Sequence, residues 1–513
     1  MGLMAVLGSD GIDKMDLVAV LRMSDSVVTH VTCLNSTDLF GALVGLLTGD
    51  TSSPVLWNLF ASDLEMPAHK DDVVLAGRKL SILAQADDIL LLSHSPSGFQ
   101  LKLNAMASWG GVNFILVNRI KTVAMVYGAP VPSPLPSFTV GSNILGVSEK
   151  EKYVGVVFST DTRSMFENHY KAKEKAARYY GHSIWAIEDR TGDLLPWHAK
   201  QLYMARVDCH LIHGCEVMPD ATKSLIEPLV DVQVKFIRKM LHVGSRSMLV
   251  PLHTETGITP LQTRRFILVL KFLKYTLALQ DKHLVRAAIM NSIVLHIAGR
   301  KTWFTDLLQA ACNLPYPLAY ELDPWSLTPD YVDLYSKMVF HCMERSLQQQ
   351  VDSSDKLYLL HGRKEPVKNK SPRTITLTLR HYLDVKIKDH RKALTWMLLS
   401  SHMLAIERLR WRELGRPRLE RDHRKCRFCK IVVESPEHAM LGCTSSQVLV
   451  HTRSQMLARV IRDEPDLAPM YGQLDDVEFL KRLVQSRKAI ATVAKWAHSV
   501  LKIFYAVPVY RGG

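Results

Sequence analysis

Two short apolar runs, Leu80-Ser81-Ile82-Leu83 and Ile89-Leu90-Leu91-Leu92, flank the polar stretch Gln85-Ala86-Asp87-Asp88. Runs of this length read as strands buried on both faces, and the stretch between them reads as a turn. The pattern predicts a hairpin with two carboxylates at its tip. Upstream, Ser53-Pro54 followed by Val55, Leu56, Leu59 and Phe60 predicts a short helix. Its hydroxyl caps free amides, proline is pre-set for the first turn, and the apolar face packs beneath the hairpin. Leu3-Met4-Ala5-Val6-Leu7 before Gly8-Ser9-Asp10 reads as one more short strand with an acid at its end.

From residue 165 to 310 the period changes to three and four. Leu225-Ile226, Leu229, Val232-Gln233, Phe236-Ile237 and Met240-Leu241 predict an amphipathic helix. Ile258-Thr259-Pro260-Leu261 marks a break before a long helix from Arg264 to Leu279. Residues 311–400 are helical with interruptions at Pro315, Pro317, Pro324 and Pro329, and Lys364–Arg373 is polar and basic enough to be a flexible linker. Asp475-Asp476 suits a helix start, after which Val477, Leu480, Val484, Val493, Ala497, Val500, Leu501 and Phe504 form an apolar stripe. Strands first and helices afterwards give an α+β fold.

Composition narrows the function classes. The 513 residues leave room for several folded regions, and 47% hydrophobic with 22% charged residues is ordinary for a globular chain. No apolar run reaches the ~18–20 residues that span a bilayer. A signal-peptide pattern is absent, and Val6 stands where a myristoylation signal carries Ser or Thr, so a soluble intracellular protein is expected. A net charge of +14, concentrated in Lys171–Arg178, Arg363–Arg373 and most of all Arg408–Lys430, favours an anionic partner over a membrane. Phosphate loops, dinucleotide fingerprints, HExxH and serine-nucleophile elbows are missing.

Eight cysteines in so long a chain are no disulfide framework. Three of them join a histidine in the spacing C-x2-C-x8-H-x4-C: Cys426, Cys429, His438 and Cys443. Four such ligands suit tetrahedral Zn²⁺, the first two from one tight turn and the last two from a short helix. His423 is an alternative ligand, and ordinary thiols are the alternative to a site. Cys209, His210, His213 and Cys215 lie in apolar surroundings and read as packing residues.

The Asp87-Asp88 pair either occupies a solvated turn or holds divalent metal as in a nucleotidyl-transferring palm. Gly49-Asp50-Thr51-Ser52-Ser53-Pro54 and Trp57-Asn58-Leu59-Phe60 precede it. Leu103-Asn104, Trp109, Asn118-Arg119-Ile120-Lys121-Thr122 and Tyr153-Val154-Gly155-Val156 follow. In this order and at these separations, over about residues 40–160, the chain resembles the reverse transcriptase of non-LTR (LINE-type) retrotransposons. The resemblance implies an RNA-directed DNA polymerase acting on an RNA template and a DNA primer, in the nucleus. It implies that Asp87 and Asp88 hold Mg²⁺ and that Lys121 assists at the phosphates. It also implies that Gly49, Ser53 and Asn58 border template and nucleotide, and that Tyr153 and Gly155 position the primer end. The organisation expected from it is a partial fingers and palm over 1–160, a helical thumb over 161–260, a helical connection over 261–400, a basic zinc knuckle over 401–450 and a helical tail over 451–513.

The chain departs from the family at Thr48, Trp57 and Gln85, where Gln, Phe and an aromatic are usual. A two-metal site needs carboxylates from two strands bridging ions ~3.5–4 Å apart. The family's other strand lies well upstream of the glycine motif, and only 48 residues precede Gly49 here. Asp10, with Asp13 and Asp16 nearby, is a poor substitute because no aromatic follows it and the spacing is too tight. The expectation is a truncated, catalytically impaired polymerase. The alternatives are a non-catalytic nucleic-acid-binding zinc-knuckle protein and a relic reading frame.

Overall fold

The computed structural model describes residues 51–511 except 76, 116, 119–120, 129–133, 135, 161, 163, 368–369 and 413–416. Of Val28–Cys33, Ser36–Gly41, Val367 and Lys370 it describes the backbone alone. Gly49 and Asp10 therefore lie outside the described residues, as do Asp13, Asp16 and Thr48. The fold mixes helices with small sheets, and the chain divides into two compact units, residues 1–169 with 281–291 and residues 170–280 with 292–513.

The first unit carries the strands. β1 (Val28–Cys33) and β2 (Ser36–Gly41) pair antiparallel, as do β3 (Val73–Leu75) with β4 (Arg78–Leu80) after the helix α1 (Ser53–Phe60). β5 (Ile82–Gln85) and β6 (Asp88–Leu91) form the expected hairpin in the register Gln85 to Asp88. The helix α2 (Pro96–Val112) follows, capped by Ser95, whose Oγ accepts from the Gly98 amide at 3.2 Å. It packs on a three-stranded sheet in which β7 (Val123–Ala124) runs parallel and β8 (Phe138–Val140) antiparallel to β9 (Asn143–Val147). Leu103, Ala124, Phe138, Val140 and Leu145 are the core between them, with Leu91 and Phe99 against it. Lys102 crosses that core and donates to Asp72 at 2.6 Å and to the Leu92 carbonyl at 2.7 Å. β10 (Lys150–Tyr153) and β11 (Val156–Ser159) close the unit as a second tight hairpin.

The second unit is mainly helical. Its long helices are α3 (Glu167–Thr191), most of which belongs here, α4 (Lys223–Met240), α5 (Leu261–Ala278), α6 (Pro329–Asp352), α7 (Lys388–Leu398), α8 (Gln447–Asp463), α9 (Asp476–Gln485) and α10 (Ile490–Tyr505). α4 buries Ile226, Leu229, Val232, Phe236, Ile237 and Met240, the stripe read from the sequence. α5 starts directly after Pro260, as that break predicts, and lies along α6. α10 is buried against α7 and α8 through Val493, Trp496, Ala497, Val500 and Phe504. Among the described residues no helix is long and apolar enough to cross a membrane.

Two local expectations change. Lys364–Arg373 is not a plain linker: β12 (Glu365–Val367) and β13 (Lys370–Arg373) pair antiparallel. Buried Glu365 accepts from the His381 amide at 3.0 Å and meets that ring's Nδ1 at 2.9 Å, which anchors the hairpin. The apolar stripe after Asp475 is two helices, α9 and α10. Ser486 interrupts it, donating to Glu464 at 2.9 Å and accepting from the Ala489 amide at 3.0 Å.

Candidate functional site

The aspartate hairpin has a two-residue loop, Ala86-Asp87, with Asp88 opening the return strand. Ala86 takes a positive φ of 54°, as the first loop position of a II′-type turn requires and an L-residue disfavours. The tip from Ala84 to Asp88 is exposed, so both carboxylates face solvent. α1 starts at Ser53 with Pro54 in its first turn. The cap position falls on Ser52 and not on Ser53, and its side chain makes no capping bond. α1 does meet the hairpin: Trp57 Nε1 donates to the Ala86 carbonyl at 2.7 Å. Phenylalanine, usual here in the resembled family, has no N–H to do this. Behind it Phe60 is buried, its ring 5.7 Å from Trp57 and 5.5 Å from Trp109, while Val55 stays exposed.

The second hairpin turns on Val154 and Gly155 with φ of 46° and 80°, the two-residue turn whose twist matches its strands. Burial raises the pKa of the Tyr153 phenol, and the Asp88 carboxylate adds to the rise. Other predicted residues are not gathered there. Asn58 is exposed on α1, and Lys121 is exposed in a turn whose amide donates to the Asn118 carbonyl at 3.2 Å. Lys121 makes no ion pair with either aspartate. Among the described residues, neither Asp87 nor Asp88 joins a group of three potential metal ligands. Two exposed carboxylates on one hairpin do not fit a two-metal Mg²⁺ site by themselves.

The cysteine cluster is assembled. The ligand atoms of Cys426, Cys429, His438 and Cys443 all lie within 4.8 Å of one another. Cys426 Sγ and Cys443 Sγ are 3.8 Å apart, and Cys429 Sγ is 3.4 Å from His438 Nε2. A tetrahedral zinc with bonds of about 2.3 Å to sulfur and 2.0–2.1 Å to nitrogen puts such edges at ~3.8 and ~3.5 Å. A disulfide would need about 2.05 Å. The donor set therefore fits a closed structural Zn²⁺ site.

Local structure explains the grip. The Lys430 amide donates to the Cys426 carbonyl, and the Cys426 amide to that of Val432, each at 2.8 Å, with Lys430 at φ 59°. Burial pushes the Cys426 thiol up to about 12. Burial also works against the Cys429 thiolate, yet the amides of Val432 and Ile431 turn toward it and leave its pKa below the ordinary value. Burial lowers the pKa of His438, which keeps the imidazole neutral and ready to ligate. His438 and the following residues to Gly442 form a π-type turn that delivers Cys443, in place of the expected short α-helix. His423 does not belong to the group.

Sequence reading missed the frame around this centre. Arg427, read as part of a basic run, is buried and forks onto Glu434 at 2.7 and 3.0 Å. Glu434 also accepts from the amides of Ala405 and Arg427, each at 2.7 Å. Arg427 reaches the Val507 carbonyl at 2.6 Å, tying the loop to the end of α10. An acid eight residues after the first cysteine was the only available signal. The Cys209–Cys215 stretch forms no ligand group: Cys215 is fully buried and His210 stacks on Tyr180 at 4.8 Å.

Glu188, Asp193 and His242 also converge, but their carboxylates are already paired. Lys388 bonds Glu188 at 2.8 Å and Arg391 bonds Asp193 at 2.7 and 2.8 Å, which makes a salt-bridge cluster between α3 and α7. In comparison with known proteins, no protein-family model and no curated protein matches this chain.

Proposed function

We propose that this chain is a template–primer-binding protein of the non-LTR reverse-transcriptase type, built on palm-like hairpins and a zinc knuckle and impaired in polymerisation. The observation that carries the reading is the contact between two motifs of that family. The Ser-Pro helix is bonded to the Asp-Asp hairpin through Trp57. An unrelated solvated Asp-Asp turn gives no reason for these motifs to meet. The basic excess and the Cys/His centre supply the electrostatic and structural parts of nucleic-acid binding. The first unit is then palm-like and the helical region from α3 to α4 thumb-like. RNA template and DNA primer are the partners, and the nucleus is the place of action.

The exposure of both carboxylates on one hairpin, with Lys121 set in a separate exposed turn, favours binding without efficient chemistry. The test is an RNA template with an annealed DNA primer, followed by gel shift and by primer extension with Mg²⁺. Salt-sensitive binding that survives Asp87→Asn/Asp88→Asn, with no extension above that double variant, is the expected result. Extension by the wild type that the double variant abolishes would overturn the impairment and establish a complete metal site. Absence of binding would remove the proposal altogether.

A further inference from the structure

Trp411 stands out on the second unit. It follows the short helix Ala405–Arg408 and is 41% exposed, although tryptophan is among the costliest side chains to leave in water. Two cations from distant segments converge on its ring. Lys356 Nζ lies 4.8 Å from the ring centroid and the Arg246 guanidinium 5.8 Å. Arg246 comes from the loop after α4 and Lys356 from the turn after α6, so three chain segments meet at this indole.

The surroundings are strongly basic. Arg410 lies 3.3 Å from Glu407, and exposed Arg412, Arg418 and Arg421 continue the patch. Among the described residues, Glu407 is nearly buried, Glu420 sits 3.8 Å from Arg418, and exposed Asp422 follows Arg421 in the chain. Burial lowers the Lys356 pKa, with Glu407 opposing the lowering and Arg410 adding to it. The buried Arg424 is spent on structure, donating to the Leu419 and Ile406 carbonyls.

The geometry points to Trp411 as a stacking platform for an unpaired base of single-stranded nucleic acid, with Arg246, Lys356, Arg412 and Arg418 taking the adjoining phosphates. The inference rests on the nucleic-acid reading above and adds the strand form and the residues. A duplex keeps its bases stacked internally and offers only phosphate to such a patch, so the indole would serve it only by holding Lys356 and Arg246. A single strand presents a π-face to the ring and phosphates to the flanking cations, which is the pairing of groups found here.

The experiment is fluorescence anisotropy with the full chain, its zinc loaded. The probes are a labelled 12-nucleotide oligouridylate and a duplex RNA of equal length, across a salt series. Trp411→Ala is expected to weaken single-strand binding about ten-fold and to leave duplex binding within about two-fold, while Trp411→Phe restores most of the loss. Arg412→Gln/Arg418→Gln is expected to flatten the salt dependence on both probes. Circular dichroism shows whether each variant is folded, and Arg246→Gln serves as a second probe of the platform. Single-strand affinity unchanged in Trp411→Ala and Arg246→Gln would overturn the platform while leaving the proposed function standing. Equal loss on both probes would make it a phosphate patch only and overturn it as well. No binding of either probe by the wild type would remove the platform and the nucleic-acid reading together.

Discussion

His438 turns Nε2 toward Cys429 at 3.4 Å, which leaves Nδ1 on the outer side of the ring, against Gly442. A methyl group added at Gly442 would sit 3.0 Å from that Nδ1 and 3.2 Å from Asp476 Oδ2. The glycine is therefore a gap kept open between an imidazole and a carboxylate. A side chain there would press on the imidazole, so Gly442→Ala is expected to weaken zinc binding about ten-fold by displacing the ring. Competition with a chromophoric chelator reads this directly; wild-type affinity in that variant would sink the account. At this scale the four ligand identities were legible because metal chemistry restricts both residue type and spacing. Arg427 was not, because its role depends on chain brought in from elsewhere, such as the Phe504 carbonyl that it reaches across 77 residues.

The hairpins show how far local pattern carries an element. The apolar runs about Asp87-Asp88 indicated the hairpin, although its strands are half-buried or exposed and not buried on both faces; the hairpin at Tyr153–Val156 was expected from the resemblance, with Gly155 in a strand and not in the turn where it lies. What the pattern did not carry was the partnering beyond each hairpin. β5 and β6 pair only with each other among the described residues, and which strands assemble into a sheet is set by long-range contacts. The stripe across Ser486 was misread for a similar reason. Its period survives the break, and only the serine's bonds to Glu464 and Ala489 end the helix. Ala86 gives a test at this scale. Its φ of 54° costs an alanine roughly 1 kcal/mol or more that glycine does not bear. Glycine's greater freedom in the unfolded chain offsets part of this, so Ala86→Gly should stabilise the first unit by roughly 0.5 kcal/mol, the bond from Trp57 to the backbone carbonyl surviving. Thermal or urea unfolding of the variant would show it, and a destabilised protein would mean that the turn is not as described.

Across the whole molecule, acid should weaken the two units in different windows. Burial lowers the pKa of His253 and of His242 to about 4 and of His402 to about 3, against 6.5 in an unfolded chain. His242 is also pushed down by Lys388, Arg391 and Lys392, with Glu188 opposing them. All three histidines belong to the second unit and are neutral in the fold. Below pH 6.5 the unfolded chain takes up protons that the folded one refuses. Their contribution is therefore complete above about 6.5 and drains away as pH falls toward 4. The buried carboxyls of Asp208 and Glu407, whose pKa values burial raises, work in the opposite sense and offset part of the loss. In the first unit, the His69 amide and then Lys102 hold Asp72 at about 2, so that contribution persists until pH drops below the ordinary 3.8. Melting followed by circular dichroism from pH 7.5 to 5 should show the helical signal losing several degrees of stability. His253→Asn should flatten the dependence, because an amide can still donate to the Ile258 carbonyl, now bonded at 2.9 Å, without titrating. A midpoint constant over that range would mean that these histidines are reached by solvent and are not part of the buried frame.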